Sequence, residues 1–368
     1  MTIIIYTQME SEVFMKGNIR LDYLDNLKVL LTILVIVHHI AIAFGGEGAF
    51  VIASQTQGSG LFNLGMTGFL AINQSYFMGL FFAISSFFSY KSLKKKGRQG
   101  FIHAKFKRLF IPALIYYIGL SPLNNIIVQV FQKGMDDGLS LSFSIGALWF
   151  VLALFLFDCV YAFTNQLLEK IKIKHMIYLL PLTVILTWLV RMITPVGVFL
   201  PVVAFQPAHF IQYIYAYALG VIVSRDNILD EIMSIKYYKV LILLIPILGL
   251  LGLVIYGLIT SVGDITYAFG GGNIYSLLYS LFDMLMFCTM SLGLTSVFQH
   301  FFNREYTIVK WMSKYAFGAY VMHYMGVTIT ILFLNQLAIG HGLTFVLTVI
   351  IGIPLSFILG KVFKPIFG

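Results

Sequence analysis

Apolar stretches of about twenty residues recur from Leu24 to Phe363, and they dictate what the chain can fold into. A helix rises about 1.5 Å per residue, so about 20 apolar residues are needed to cross the hydrocarbon core of a bilayer. Ten stretches approach that length, near residues 24–44, 66–90, 109–132, 145–164, 176–193, 208–224, 240–259, 274–298, 315–334 and 342–363. In hydrocarbon, every backbone N–H and C=O must find its partner within the protein, and a helix supplies one for each. The expectation is an all-α membrane protein, a single bundle of about ten transmembrane helices. Composition agrees: 59% of the 368 residues are hydrophobic and 11% charged, with a mean hydropathy of +0.91, far from the soluble range.

A net charge of +9 would suggest a polyanionic partner in a soluble protein. Here the charge follows topology. Residues 1–20 lack the basic start, long apolar core and small-residue cleavage site of a signal peptide. They read as a cytosolic tail, and residues 21–368 as one membrane domain with no soluble domain after it. With both termini cytosolic, 22 of the 24 Lys and Arg lie on cytosolic segments, leaving Lys133 and Arg191 toward the other side. Short basic loops are retained in the cytosol, so the charge needs no nucleic acid. The two cysteines, Cys159 and Cys288, fall within helices and form neither a metal spacing nor a disulfide framework. Neither a metal site nor a tightly bound cofactor is expected.

The first apolar stretch, LDYLDNLKVLLTILVIVHHIAIAF, also carries ionisable groups. At about 100° and about 1.5 Å per residue, Lys28 and His39 are offset by about 20° around the helix and about 16 Å along it. They share a face, while His38 is turned about 80° from Lys28. A cation near one surface and a deeper imidazole thus look down a common path. Ionisable groups at such depth usually face a protein-lined cavity, although Lys28 could simply snorkel to the interface. Asp22 suits a helix N-terminus; for Asp25 that role and a donor-site role both stand.

Further polar residues follow. Asn73, Gln74 and Ser75 suit either a polar cavity or hydrogen bonds between helices. Eight Lys and Arg lie between Lys91 and Arg108, as a cytosolic loop near anionic lipid would have. Arg108, close to Pro112, offers the forked geometry that phosphate recognition favours. Asp136 and Asp137 read as solvated in an outer loop. Trp149 fits an interfacial aromatic belt, and the deeper Asp158 needs a partner or a proton. His209, Asp283 and His323 are further buried ionisable groups, candidates to line a cavity or meet an acceptor together with Ser75 and Trp149.

In order along the chain, these features resemble the acyltransferase 3 family of integral-membrane, acyl-CoA-dependent O-acyltransferases, and among them the glucan-modifying members. The resemblance runs from about Leu21 to Phe363. Lys28 and His39 within YLDNLKVLLTILVIVHH match the family's Arg or Lys, ten residues, then His. FMGLFFAISSFFS with the basic loop, Arg108 and Pro112, the LWF triplet at 148–150, and YAFGAYVMH ending at His323 add further matches. Two positions depart: Lys28 stands where Arg is frequent, and Ser86 where Gly commonly follows the Ser.

The resemblance implies transfer of an acyl group, often acetyl or succinyl, from cytosolic acyl-CoA as co-substrate to a hydroxyl of a carbohydrate or other envelope or secreted acceptor. It sets the chain in a cell membrane, with the bacterial cytoplasmic membrane expected. Lys28 and Arg108 would hold the donor's phosphates, and His39 would act as general base or as a transient nucleophile. The rival reading is a proton-coupled secondary transporter or exporter, in which buried Asp and His relay protons. Transporters commonly show repeated halves, and no internal repeat is visible here.

Overall fold

The structure, a computed structural model, describes residues 21–367 apart from 55–57, 134–138, 201–204, 243, 246, 250–251, 253–264 and 338. The tail at 1–20, Asp136, Asp137 and most of the stretch at 240–259 lie outside the described residues. Among the described residues, the regular structure is helical apart from one isolated β-bridge between Leu200 and Phe205. Seven helices among the described residues are long and apolar enough to cross a membrane. The chain is a multi-pass membrane protein.

α1 (Asp22–Ala43) begins with Asp22 and Asp25 in its first turn, where carboxylates complement the helix dipole. It runs without Gly or Pro and ends before Gly45, whose φ of +100° lets the chain turn away. α2 (Gly60–Lys105) starts under a Ser59 cap, its Oγ accepting from Phe62 N at 3.2 Å. At Gly97, with φ +67°, α2 breaks. Lys105 Nζ donates to Ser89 Oγ at 2.8 Å, yet sixteen residues of straight helix would span about 24 Å. The chain therefore doubles back at Gly97, and its two limbs correspond to the stretches expected at 66–90 and 109–132.

The returning limb contains two π-turns, Phe106–Phe110 and Tyr116–Leu120, around α3 (Ile111–Ile115), and continues as α4 (Ser121–Lys133). Next come α5 (Trp149–Glu169), α6 (Ile173–Ile193), α7 (Phe210–Arg225) and the short α8 (Leu229–Ser234). A shorter apolar helix lies at Tyr237–Gly249. α9 (Ile274–Phe301), α10 (Thr307–Leu334), α11 (His341–Val362) and α12 (Lys364–Phe367) complete the described chain.

α10 is the central helix: 83% of its most apolar window is buried, against 22% for the peripheral α6. Between membrane helices, close packing replaces the hydrophobic drive and calls for small residues. Gly318 of α10 meets Gly360 of α11 so closely that a β-carbon on Gly360 would lie 2.3 Å from Ala319 N. Gly220 of α7 abuts α2 in the same way, and a β-carbon there would lie 2.0 Å from Ala83 O and 2.1 Å from Ser86 Oγ. Ser86 thus packs directly against a glycine on the facing helix.

Candidate active site

α1 is unbroken between Lys28 and His39, so the expected offset holds. His39 turns toward α10. Its Nδ1 lies 2.9 Å from Val35 O, one turn back on its own helix, and 3.3 Å from His323 Nε2. His323 Nδ1 in turn lies 2.5 Å from Tyr320 O. A carbonyl only accepts, so each Nδ1 of the neutral rings carries the proton. His323 Nε2 is then a lone pair that accepts from the same His39 Nδ1–H. His39 Nε2 is left as the basic nitrogen.

Accessibility follows the same division. His39 is half-buried and His323 fully buried. Tyr324 stands beside both rings, 5.0 Å from each, and Phe50, from the loop after α1, lies 6.0 Å from His39. His38 points elsewhere, as its rotation around the helix requires. It meets Asn73 Nδ2 at 3.3 Å through Nδ1 and stacks on Phe77 at 5.1 Å.

Two charged clusters lie apart from this pair. In the first, Asp283 of α9 is ion-paired with Arg191 of α6, and His209 Nδ1 lies 3.4 Å from the same carboxylate oxygen. Arg191 also donates to Ser280 Oγ at 3.1 Å and to Ala208 O at 3.3 Å, and lies 4.7 Å over the Tyr279 ring. Gln212 ties this cluster to α2 through Ser75 O at 2.8 Å. The Ser75 hydroxyl itself donates to Ile72 O at 2.6 Å. Trp149 joins indirectly, stacked on Tyr213 at 5.8 Å, with the Tyr213 ring 6.2 Å from His209.

In the second cluster, fully buried Asp158 of α5 finds the partner its depth demands. Lys105 Nζ lies 2.8 Å away, and Ser89 Oγ and Tyr217 OH each donate to its other oxygen at 2.7 Å. The expected donor residues sit elsewhere again. Lys28 Nζ is 3.1 Å from Asp25 Oδ1 and 4.2 Å over the Phe88 ring. Arg108 is exposed on the first π-turn, a helical irregularity common at functional sites. Among the described residues, no group of three or more His, Cys, Asp or Glu is placed to hold a metal ion.

Residues 21–361 of the 368 match the acyltransferase domain pattern Acyl_transf_3. The chain belongs to the acyltransferase 3 family. No curated protein and no solved structure matches it. Family membership makes the chain an acyltransferase of the membrane. In this acyltransferase 3 chain the matched span contains the imidazole pair and both charged clusters.

Of the residues singled out in the sequence, the fold brings His39 to His323 and His209 to Asp283, with Trp149 one ring removed. Lys28 and Arg108 lie on separate elements, and Ser75 contributes its carbonyl. Sequence reasoning passed over Arg191, Lys105 and Gln212 as partners. Arg191 had a signal: an arginine within the apolar run ILTWLVRMI needs a buried acid, and Asp283 was available. Lys105 had none, because eight basic residues share its loop.

Proposed function

We propose that this acyltransferase is an O-acyltransferase that moves an acyl group, acetyl or succinyl, from acyl-CoA to a hydroxyl of a carbohydrate or other envelope acceptor. The observation that carries the reading is the free Nε2 lone pair of His39, left on a half-buried ring whose Nδ1–H is held by Val35 O and His323 Nε2. His39 Nε2 takes the proton of the acceptor hydroxyl, whose oxygen attacks the thioester carbonyl. The C–S bond breaks, and the departing thiolate takes the proton back from Nε2. His323 does for His39 what a buried carboxylate does in a hydrolase triad: it fixes tautomer and ring orientation. Being neutral, it stabilises the imidazolium less than a carboxylate would.

Lys28 and Arg108 hold the donor's phosphates in this reading. The offset of about 16 Å from Lys28 to His39 is comparable to the reach of a pantetheine arm. The bundle crosses the membrane about ten times with both termini in the cytosol, and works in the bacterial cytoplasmic membrane. The test is release of CoA thiol by purified protein with acetyl-CoA or succinyl-CoA, with and without an envelope-glycan extract. Thiol release that rises with extract and vanishes in His39→Ala is expected. Full transfer by a correctly inserted His39→Ala protein would refute the role of His39, and no release with either donor would refute acyl-CoA dependence.

A further inference from the structure

A cavity of about 470 Å³ opens between the Gly97 turn of α2 and the ends of α5 and α7, lined by neither member of the imidazole pair, and the acyl-transfer reading makes no use of it. Lys94, Arg98, Tyr161, Asn165, Glu169 and Arg225 are among the residues that line it. Their charges are not equivalent. Arg225 is already engaged, donating to Leu168 O, to Ile171 O at 2.7 Å and to both carboxylate oxygens of Asp226. Among the described residues, Arg98 spends only Nε, on Ala162 O at 3.0 Å, and its guanidinium lies 5.0 Å over the Phe163 ring. Those two contacts fix the plane of the fork and leave its terminal amino groups for a ligand. Lys94, on the outgoing limb of α2 across the Gly97 break from Arg98, is exposed at the rim.

A planar guanidinium held by its stem beside a mobile ammonium is suited to the oxygens of a phosphate. Asn165 and Glu169 add acceptors for hydroxyl groups next to it. Leu156, Val160, Phe163 and Leu167, each at least 52% exposed, form a stripe on the face of α5 turned away from Tyr161, Asn165 and Leu168, and Arg98 reaches that stripe at Phe163. That stripe is what acyl chains would lie against while Arg98, which touches both Ala162 at the cavity and Phe163 on the stripe, held the headgroup, and basic pockets between helices at a membrane surface bind anionic headgroups.

We propose that this cavity is a binding site for a phosphate ester, its phosphate gripped between Arg98 and Lys94. The stripe on α5 fits the phosphate of an anionic phospholipid, and a soluble nucleoside bisphosphate carries the same chemistry. The full chain, reconstituted in phosphatidylcholine vesicles with or without phosphatidylglycerol, is extracted, and retained lipid is counted by native mass spectrometry. A parallel arm measures binding of adenosine 3′,5′-bisphosphate. Wild type is compared with Lys94→Gln, with Lys94→Gln/Arg98→Gln, and with Lys95→Gln, which neutralises a neighbour outside the cavity.

Loss of two charge-assisted contacts is expected to lower retention of phosphatidylglycerol by about tenfold or more, with Lys95→Gln unchanged. Loss confined to the bisphosphate arm would support the same site with a soluble ligand. Lys94→Gln alone, an exposed change that leaves the Ala162 contact intact, should show part of the loss. Equal binding by wild type and the double variant in both arms would overturn the proposal. So would a loss in Lys95→Gln as large as in the double variant, since a general basic field would then explain the binding.

Discussion

The imidazole pair and the Arg191 cluster are both polar inclusions in an apolar bundle, and they are built in opposite ways. Around Asp283, a full charge meets a full charge, and hydroxyl, carbonyl and ring groups close over the arginine. Around His39 the groups are formally neutral, the hydrogen bonds end on a carbonyl and a second imidazole, and one ring nitrogen remains uncommitted on a half-buried residue. A buried ion pair keeps its geometry only while both partners stay charged, which suits holding helices in register. A general base must change its protonation state in every turnover, which suits a neutral pair with an accessible lone pair. The contrast separates an element suited to proton transfer from an element suited to holding the bundle.

The sharpest way to break this contrast is to compare the two adjacent imidazoles. His39→Ala is expected to lower acyl transfer by about 10²–10⁴-fold, the usual contribution of a general base, with the protein still monodisperse on size exclusion. His38→Asn should cost less than about tenfold, because that ring is committed to Asn73 and Phe77. Comparable losses from the two would sink the tautomer argument.

The next effect belongs to the ion pair. Asp283→Leu leaves Arg191 charged in a site where it is fully buried, and should destabilise the protein by about 3–5 kcal/mol. Arg191→Met/Asp283→Leu should recover most of that loss, because an apolar pair of similar volume needs no desolvation. Thermal unfolding in detergent measures both. A double variant as unstable as the single, or one that is stable but inactive, would move the cluster from architecture into chemistry.

How far the sequence reached depended on whether the information was local. The alignment of Lys28 with His39, and the turning away of His38, follow from helical rotation and reappear in the structure. The reversal at 97 was legible as a basic, glycine-containing loop between two apolar stretches. Partners on different helices were not: His323 lies 284 residues from His39, and Lys105 lies 53 residues before Asp158. Periodicity gives the face a residue occupies, and tertiary packing decides which helix meets that face. Ser75 shows the limit most plainly, since its hydroxyl is bonded to its own helix and it is the carbonyl that reaches α7.

The second ion pair grades the contrast, because it is the less enclosed of the two. Lys105 is 17% exposed, where Arg191 is 0%, and Asp158 keeps two hydroxyl donors, Ser89 and Tyr217, when the lysine is removed. Lys105→Met should therefore cost less than Asp283→Leu, about 2 kcal/mol, the worth of one hydrogen bond to a charged group. The loss should also be local. Lys105 ties the returning limb of α2 to Ser89 on the outgoing limb, so amide exchange should quicken first around the Gly97 turn, and the Arg191 cluster should stay protected. A loss as large as that of Asp283→Leu, spread through the bundle, would mean that the degree of enclosure does not set the strength of these pairs.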